Sequence, residues 1–273
     1  MAIGLSGQVT HMAILMCPPD HFGVEYEINP WMHVDRVVDR QKAETQWKAL
    51  HDAYINLGQA VQLAEPVRGL PDMVFAANAA LARGGTAVLA RFQHPERQGE
   101  EVHWRRVLSD LGQRVVEVPP GMRFEGAGDA LFVGDRLYAG HGFRTDRESH
   151  PELARLLDVE VVSLELVDPR FYHLDTCFCP LAPGVVMFAP EAFSAASARV
   201  IRQSIPHVIE VPTSLATDFI CNGVVVGDHL LSSTGVELMD AALHREGLGT
   251  TPFPMTEFMK AGGGVRCLTL ELD

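Results

Sequence analysis

The 273-residue sequence predicts one α/β domain, covering residues 1–273, in which a single structural unit is repeated along the chain. Three observations indicate this fold class. Apolar hairpins with glycine-containing turns recur, a polar-faced helical segment follows each hairpin, and a short β run follows each helix. No low-complexity segment or long polar linker interrupts the chain. The alternative is an ordinary α/β sheet whose pieces only look similar.

Four copies of the unit follow one another in chain order. The hairpins are predicted at residues 75–92, 128–142, 173–190 and 222–234. The helices after them are predicted near residues 97–111, 146–157, 191–203 and 236–245. The closing β runs are predicted at residues 114–120, 159–166, 207–212 and 250–255. The hairpin turns carry Gly-Gly, Gly-Asp or Pro-Gly, which suits tight β connections.

A fifth unit is predicted from the two ends of the chain. The runs VRCLTLEL and HMAILM could pair as a hairpin, and a helix near residues 34–57 with the run AVQLAE would complete the unit. An unusual polar position recurs in each unit, at or before its first hairpin strand. A closed radial array would bring these positions together on its axis. The recurring polar residues are Asn78, Glu125 with Asp129, His173 with Asp175, Asn222, and Cys267.

Charge and composition limit the classes of partner. A net charge of −13 disfavours nucleic acid and acidic membranes, so we expect a small-molecule substrate; a homo-oligomer is compatible with the sequence. No apolar run approaches the roughly 20 residues of a membrane helix. Residues 1–20 lack the basic start and apolar stretch of a secretory signal, and the spacing of the five cysteines gives no disulfide framework. We therefore expect a cytoplasmic protein with free thiols.

The segment HLDTCFCPL at 173–181 is predicted as a strand. Alternation would then place His173, Asp175, Cys177 and Cys179 on one face, and the imidazole beside the carboxylate suits proton transfer near a cationic ligand. One alternative is a buried, hydrogen-bonded histidine with a capping aspartate. A zinc site is another, but a Cys-x-Cys spacing is a poor match to structural zinc. Cys177 and Cys179 are predicted to be small core residues.

Two glycine-rich motifs supply further reactive groups. FEGAGDALF at 124–132 places Glu125 and Asp129 around two glycines, where a tight turn could hold a carboxylate against His173. An ordinary turn with solvated acids is the alternative. KAGGGVRCLTLEL at 260–272 places Cys267 after three glycines, at the start of a predicted strand. A lone strand cysteine is usually a buried apolar residue, but a thiol near an imidazole and a carboxylate can become a nucleophile.

These motifs resemble the guanidine-modifying (amidinotransferase) superfamily. Four further segments are similar to the catalytic domain of cyanobacterial arginine dihydrolase and to bacterial dimethylarginine dimethylaminohydrolases: residues 17–32, 71–81, 91–101 and 168–181. The resemblance implies a five-bladed α/β propeller of pseudo-fivefold ββαβ units, the pentein propeller, that needs no cofactor and no metal. The cyanobacterial enzyme carries a further C-terminal region that handles ornithine, and that second activity is not expected here.

The resemblance also implies the catalytic roles. Cys267 would be the nucleophile, His173 the general acid and base, and Glu125 the carboxylate that orients His173. Cys267 would attack the guanidinium carbon and expel an amine protonated by His173. Water activated by His173 would then hydrolyse the covalent intermediate. Asp129 belongs to the same motif, either as a substrate contact or as support.

Substrate-binding roles follow from the same resemblance. Asp175 would hold the guanidinium with Asn78 beside it, and Asn29 would line the pocket. Arg97 and Arg144 would bind the substrate α-carboxylate, since a guanidinium fork matches a carboxylate. Taken without the resemblance, these two arginines would be surface residues on a helix start and a loop.

The predicted function is hydrolysis of guanidino carbon–nitrogen bonds, with arginine dihydrolase favoured. Deiminases hold the guanidinium with an acidic residue at the matching motif, whereas the amide of Asn78 can satisfy both a cation and a neutral urea. Two rounds would then give ornithine, carbon dioxide and two molecules of ammonia. The alternatives are dimethylarginine dimethylaminohydrolase and arginine deiminase. An amidinotransferase and a non-catalytic arginine-binding protein are less favoured.

Overall fold

The computed structural model describes residues 13–272; the predictions made for residues 1–12, on a secretory signal and the start of the first strand, lie outside it. The strands are β1 (Ala13–Met16), β2 (Ala60–Leu63), β3 (Ala80–Arg83), β4 (Thr86–Leu89), β5 (Arg114–Glu117), β6 (Ala130–Val133), β7 (Arg136–His141), β8 (Val161–Glu165), β9 (Phe178–Ala182), β10 (Val185–Phe188), β11 (His207–Glu210), β12 (Val224–Val226), β13 (His229–Ser233), β14 (Gly249–Phe253) and β15 (Leu270–Leu272). The α-helices are α1 (Arg40–Asn56), α2 (Pro95–Gln98), α3 (Glu100–Asp110), α4 (His150–Leu157), α5 (Ala195–Ser204), α6 (Thr213–Ala216) and α7 (Asp240–Leu243).

The strands form five three-stranded sheets with one shared topology. In each sheet the central strand runs antiparallel to its hairpin partner and parallel to the strand that follows the helix. In the sheet β3-β4-β5, for example, β4 pairs antiparallel with β3 and parallel with β5. The chain ends close the fifth sheet, because β1 pairs antiparallel with β15 and parallel with β2. The predicted repeat and its fifth unit are therefore confirmed, and the ordinary single sheet is excluded.

The sheets surround a common axis. A cavity of about 410 Å³ is lined by residues from the first hairpin strand of every unit: β3, β6, β9, β12 and β15. Three clusters of buried apolar side chains lie around this axis, and each joins residues of neighbouring units. Between residues 13 and 272, no helix is both long enough and apolar enough to cross a bilayer.

The helices start and end where local capping allows. The helix predicted from residue 34 begins only at Arg40, because the Asp39 side chain accepts a hydrogen bond from Lys42 N at 3.1 Å and caps the first turn. The helix predicted at 97–111 is divided into α2 and α3 at Gly99. Predicted starts near residues 146, 191 and 236 are each single 3₁₀ turns that precede the α-helical part. The predicted helix order is confirmed and the boundaries shift.

The prediction that residues 173–181 form one strand is wrong. Leu174–Thr176 is a 3₁₀ turn, and β9 begins only at Phe178. Thr176 Oγ1 donates to the His173 carbonyl at 2.6 Å, and this local side-chain bond favours the turn over an extended ladder. As a result His173 and Asp175 do not share a strand face. Cys177 and Cys179 are buried in an apolar cluster, as predicted for small core residues.

The strand predicted through Cys267 also starts later. Residues 265–268 form a turn, and β15 begins at Leu270. Similar turns precede the first strand of the other units. The recurring polar residues therefore lie on short turns at one end of the sheets, rather than in the strands themselves.

Candidate active site

The predicted site residues converge at that end of the axis. All except Asn29, which is partly exposed, are buried: Asn78, Arg97, Glu125, Asp129, Arg144, His173, Asp175 and Cys267. They come from turns of different units and, for Arg97, from helix α2, so only the closed array of sheets brings them together. The surface alternative for the two arginines is excluded, because Arg97 is 2% and Arg144 3% exposed.

His173 is held by Glu125. The Glu125 Oε2 atom lies 2.8 Å from His173 Nε2 and accepts a hydrogen bond from Arg144 Nη1 at 3.0 Å. Burial raises the pKa of Glu125, but the charges of Arg144 and His173 outweigh it and hold that pKa well below its usual range. Glu125 therefore remains ionised and can orient the imidazole and stabilise its protonated form.

Asp129 lies behind the imidazole. Its Oδ1 accepts from the Leu174 backbone N–H at 3.1 Å, and its Oδ2 accepts from Thr145 Oγ1 at 2.6 Å. The same Oδ2 is 4.0 Å from His173 Nε2. Both carboxylate oxygens thus accept hydrogen bonds from protein groups, and Asp129 connects the turn that carries His173 to Thr145. Burial raises the pKa of Asp129 to about 6.

Cys267 meets Asp175 and Asn222. Its Sγ lies 3.3 Å from Asp175 Oδ2 and 3.1 Å from Asn222 Nδ2. Burial and the neighbouring Asp175 raise the pKa of the Cys267 thiol well above its ordinary value. Burial likewise raises the pKa of Asp175 to about 7, although the hydrogen bond from Cys267 opposes this. Asp175 Oδ1 has no hydrogen-bond partner among residues 13–272.

Arg97 is fixed by a buried ion pair. Its Nε and Nη2 donate to the two carboxylate oxygens of Glu100 at 2.7 and 2.9 Å, and Nη2 also donates to the Asp72 carbonyl at 3.2 Å. Its Nη1 donates to Asn78 Oδ1 at 2.9 Å. The Asn78 amide nitrogen lies 3.5 Å from His173 Nδ1. Arg97 and the imidazole are thereby connected through Asn78.

A narrow cavity lies among these groups. The centre of a water molecule can occupy only about 10 Å³ of this cavity, so the cavity holds roughly one water. The 28–32 segment closes this cavity and is held by two hydrogen bonds: Asn29 Nδ2 donates to the Ala261 carbonyl at 3.0 Å, and the Ile28 carbonyl accepts from Arg144 Nη2 at 2.9 Å. The lining residues are Ile28, Asn29, Met32, Asp72, Phe75, Asn78, Arg97, Arg144, Tyr172, Ala261 and Cys267.

Three polar residues at or next to the cavity were not among the predicted site residues. Asp72 and Tyr172 line it, and Asn222 contacts Cys267. The sequence held a signal for Asn222, which occupies the recurring polar position of its unit. Asp72 and Tyr172 lie in the segments 71–81 and 168–181 that carry the family resemblance, but nothing in their local pattern distinguishes them.

The glycine run before Cys267 allows close packing around the thiol. A Cβ on Gly262, which has a φ of +83°, would lie 2.9 Å from the Tyr172 hydroxyl, and a Cβ on Gly263 would lie 2.2 Å from the Phe75 ring. A Cβ on Gly264 would lie 2.8 Å from Asn222 Oδ1. The run therefore lets Cys267 approach the residues that surround it.

Among residues 13–272, the side chains show no arrangement that matches the zinc site considered as an alternative. No group of three histidine, cysteine, aspartate or glutamate side chains there could hold a metal ion. The two cysteines that follow the His–Asp pair in sequence bind backbone carbonyls instead: Cys177 Sγ donates to the Leu174 carbonyl at 3.5 Å and Cys179 Sγ to the Gly223 carbonyl at 3.5 Å.

The sequences of two relatives align with nearly the whole length of this chain. A bifunctional arginine dihydrolase/ornithine cyclodeaminase, ArgZ, of Synechocystis sp. is 48% identical over 264 residues, which are 95% of this chain and 37% of that protein. The chain thus spans little more than a third of this relative. N(G),N(G)-dimethylarginine dimethylaminohydrolase of Mycobacterium tuberculosis is 43% identical over 94% of this chain and 84% of its own length.

Solved structures support the fold. The N-terminal domain of ArgZ, covalently bound to a reaction intermediate, superposes with a TM-score of 0.92 at 46% identity and covers 96% of this chain and 98% of its own. The five-unit pentein propeller is therefore confirmed. The family model described as N,N dimethylarginine dimethylhydrolase, eukaryotic, matches residues 19–273. The chain belongs to the dimethylarginine dimethylaminohydrolase family.

Proposed function

We propose that this chain is a cysteine hydrolase that converts arginine to ornithine, carbon dioxide and two molecules of ammonia. The observation that carries the proposal is the contact between the Cys267 sulfur and Asp175, whose Oδ1 has no hydrogen-bond partner in the described part of the chain. A buried carboxylate with a free oxygen beside a thiol is suited to hold a planar cation against a nucleophile. The 48% identity to a bifunctional arginine dihydrolase supports arginine as the substrate.

Charged groups around the cavity suit the two ends of arginine. Asp175 would bind the guanidinium, while Arg97 and Arg144 line the cavity and bring positive charge for the α-carboxylate. Asp72 lines the same cavity and offers a carboxylate to the α-amino group. Because the closed cavity has room for about one water, arginine can enter only when the 28–32 segment moves away.

Binding of the cation prepares the nucleophile. Without substrate the thiol is protonated and donates to Asp175, which agrees with the raised pKa of the thiol. A guanidinium beside Asp175 places a positive charge near the sulfur and lowers the pKa of the thiol. The thiol releases its proton, His173 takes one up, and the Cys267 thiolate then attacks the guanidinium carbon. In the tetrahedral adduct the protonated His173 gives its proton to a terminal amino group; the carbon–nitrogen bond breaks, ammonia leaves, and an amidino thioether remains on Cys267.

Hydrolysis uses the same imidazole in the opposite sense. His173 removes a proton from water, the resulting hydroxide adds to the amidino carbon, and the carbon–sulfur bond breaks to give a ureido product. Glu125 keeps the imidazole in place through both transfers and stabilises its charged form, while Asp129 supports the turn of His173.

A second round would attack the ureido carbon. The neutral urea lacks the charge that favours binding to Asp175, so it needs a hydrogen-bond donor for its oxygen. The Asn78 oxygen is occupied by Arg97 Nη1 at 2.9 Å, so the Asn78 nitrogen faces the Glu125 carbonyl at 3.4 Å and His173 Nδ1 at 3.5 Å. Both of these contacts are long for hydrogen bonds, and an Asn78 N–H group could exchange one of them for a ureido oxygen. This arrangement supports the dihydrolase reaction over a single deimination.

Product stoichiometry tests this proposal. Purified protein is incubated with arginine, and ammonia, citrulline and ornithine are measured together. Two ammonia per arginine with ornithine formed is the expected result. One ammonia with accumulating citrulline would instead identify a deiminase. Cys267→Ser, which keeps the size of the side chain, is the matched control and should bind arginine without turnover.

Dimethylarginine dimethylaminohydrolase is the second candidate. The family model and the Mycobacterium tuberculosis relative, of which this chain covers 84%, favour it. The two candidates are separated by the leaving group: asymmetric dimethylarginine would release dimethylamine and yield citrulline. Comparison of kcat/KM for arginine and dimethylarginine on one preparation decides between them.

Domain organisation, location and partners are proposed for the chain as a whole. We propose that residues 1–273 act as one catalytic domain in the cytoplasm and that the substrate is a small molecule. A homo-oligomer is compatible with this proposal. The net charge of −13 supports a substrate that carries positive charge over a nucleic acid or an acidic membrane.

A further inference from the structure

We propose that Asn222 is a positioning residue that aims the Cys267 sulfur and stabilises its thiolate. This inference deepens the proposed function and rests on it, since it assigns a further residue to the same reaction. Asn222 is completely buried and lies on the turn just before β12. Asn222 is the recurring polar residue of the fourth unit, and it is the one such residue to which no role was assigned from the sequence.

The side chain of Asn222 holds Cys267 at two points. Its Oδ1 accepts a hydrogen bond from the Cys267 backbone N–H at 3.2 Å, and its Nδ2 donates to Cys267 Sγ at 3.1 Å. The Arg266 backbone N–H also donates to the Asn222 carbonyl at 3.1 Å. One amide therefore fixes both the backbone of Cys267 and the direction of its sulfur.

The same amide reaches the residue that would bind the guanidinium. Asn222 Nδ2 donates to the Asp175 carbonyl at 3.0 Å. The nucleophile and the guanidinium-binding turn are thus held by one side chain, which sets their separation. Productive attack requires the sulfur close to the guanidinium carbon and aligned with it. A change at Asn222 would alter this distance without removing any group that touches the substrate.

The orientation of the amide is determined by its partners. A flipped amide would place its oxygen against the Asp175 carbonyl and the sulfur, and its N–H groups against the Cys267 N–H. Both arrangements are repulsive, so the N–H donor must face the sulfur. Gly264 protects this geometry, because a Cβ there would lie 2.8 Å from Asn222 Oδ1.

An N–H donor at the sulfur favours the thiolate. The groups that face Cys267 are Asp175 in direct contact, the Tyr172 hydroxyl, and Asp72, Arg97 and Arg144 across the cavity. Burial and Asp175 disfavour the thiolate. Asn222 opposes them as a neutral donor, and a hydrogen bond to an ion is stronger than one to the neutral thiol.

A thiolate titration tests the inference. Absorbance near 240 nm is followed with pH for wild type, Asn222→Ala and Asn222→Leu, each corrected by subtracting the same protein carrying Cys267→Ser. Both Asn222 variants should move the thiolate midpoint upward by about one pH unit or more, and slow iodoacetamide alkylation of Cys267 about tenfold at a fixed pH below the midpoint. Alkylation is read on the Cys267 peptide by mass spectrometry.

Ser232→Ala is the matched control. Ser232 is equally buried, lies in the same unit and donates to the Ile220 carbonyl at 2.7 Å without contact to Cys267. Its thiolate midpoint should equal that of wild type. An unchanged midpoint in a folded Asn222 variant, even with slower alkylation, would overturn the inference. Asn222→Leu has nearly the size and shape of the native residue, carries neither a charge nor a donor, and decides the question if Asn222→Ala does not fold. If wild type fails to turn over arginine while the midpoint still moves, the proposed function fails alone.

Discussion

Arg97 donates a hydrogen bond from Nη1 to Asn78 Oδ1 over 2.9 Å, and this contact decides which end of the Asn78 amide faces the reaction site. Because the oxygen is engaged, the Asn78 nitrogen is directed toward the Glu125 carbonyl at 3.4 Å and His173 Nδ1 at 3.5 Å. Arg97 itself cannot turn away, since both oxygens of buried Glu100 hold it. A donor at this position is the feature that a ureido oxygen requires.

We expect Asn78→Asp to stop the reaction at citrulline. A carboxylate would pair with Arg97 and still accept a guanidinium, but it offers no donor to a neutral urea and repels its oxygen. Ammonia released per arginine should fall from two to one, measured together with citrulline. Asn56→Asp, at the exposed end of α1, is a control that should retain two. Unchanged ornithine formation by Asn78→Asp would contradict the role of the amide.

Glu125→Gln should lose both activity and stability. Loss of the carboxylate leaves His173 without its charged partner and should lower kcat by about 100-fold, with a smaller change in KM. It also leaves Arg144 buried without its ion pair, which should cost about 3 kcal/mol of unfolding free energy. Steady-state kinetics and urea unfolding at neutral pH measure the two effects.

The stability effect of Glu125 has a predicted pH dependence. The folded protein lowers the pKa of Glu125, so its contribution is complete above the unfolded value near 4.5 and is lost as pH falls toward the folded value. The difference between wild type and Glu125→Gln should therefore shrink in acid. Glu152→Gln, which breaks an exposed pair with Arg155, should change stability by less than about 1 kcal/mol. A difference between wild type and Glu125→Gln that grows in acid would refute this account.

Asp175→Asn should make the protein inactive but more stable at alkaline pH. The folded pKa of Asp175 is raised from 3.8 to about 7, so the folded state binds a proton that the unfolded state releases between these values. Stability contributed by this proton is present below pH 4 and is lost as pH rises through 7. The variant should gain at least about 1 kcal/mol relative to wild type between pH 5 and pH 8.

Urea unfolding at the two pH values measures this gain. Asp135→Asn removes a fully exposed carboxylate and should show no such change between them. A constant difference between wild type and Asp175→Asn would mean that Asp175 is not protonated in the folded protein at low pH.

Gly126→Ala should displace the turn that carries Glu125. Gly126 has a φ of +63°, and a Cβ there would lie 2.8 Å from the Ala77 carbonyl oxygen. Gly227 has the same φ of +63° with no atom within 4 Å of its Cβ position. Gly227→Ala should therefore cost about 1 kcal/mol from backbone strain alone, and Gly126→Ala about 3 kcal/mol with loss of activity. Equal melting temperatures for the two variants would show that the close approach is unimportant.

Much of the fold could be predicted because its signals are local. Turn glycines and alternating apolar residues mark each hairpin, and the recurring polar position marks the site end of each unit. The strand predicted across His173 and Asp175 was wrong because the Thr176 hydroxyl bonds to the His173 carbonyl and closes a turn. Such a side-chain bond leaves no trace in the apolar pattern. Asp72 and Tyr172 escaped prediction for a related reason, since they reach the cavity only through the packing of distant turns.

The sequence alone therefore determined the repeated unit, the number of units and the residue types gathered at one end of the axis. The tertiary structure decided the pairings: Glu125 with His173, Asp175 and Asn222 with Cys267, Arg97 with Asn78. The physical reason is distance along the chain. Asp175 and Cys267 are separated by 92 positions, and closure of the five sheets brings the turns that carry them into hydrogen-bond range.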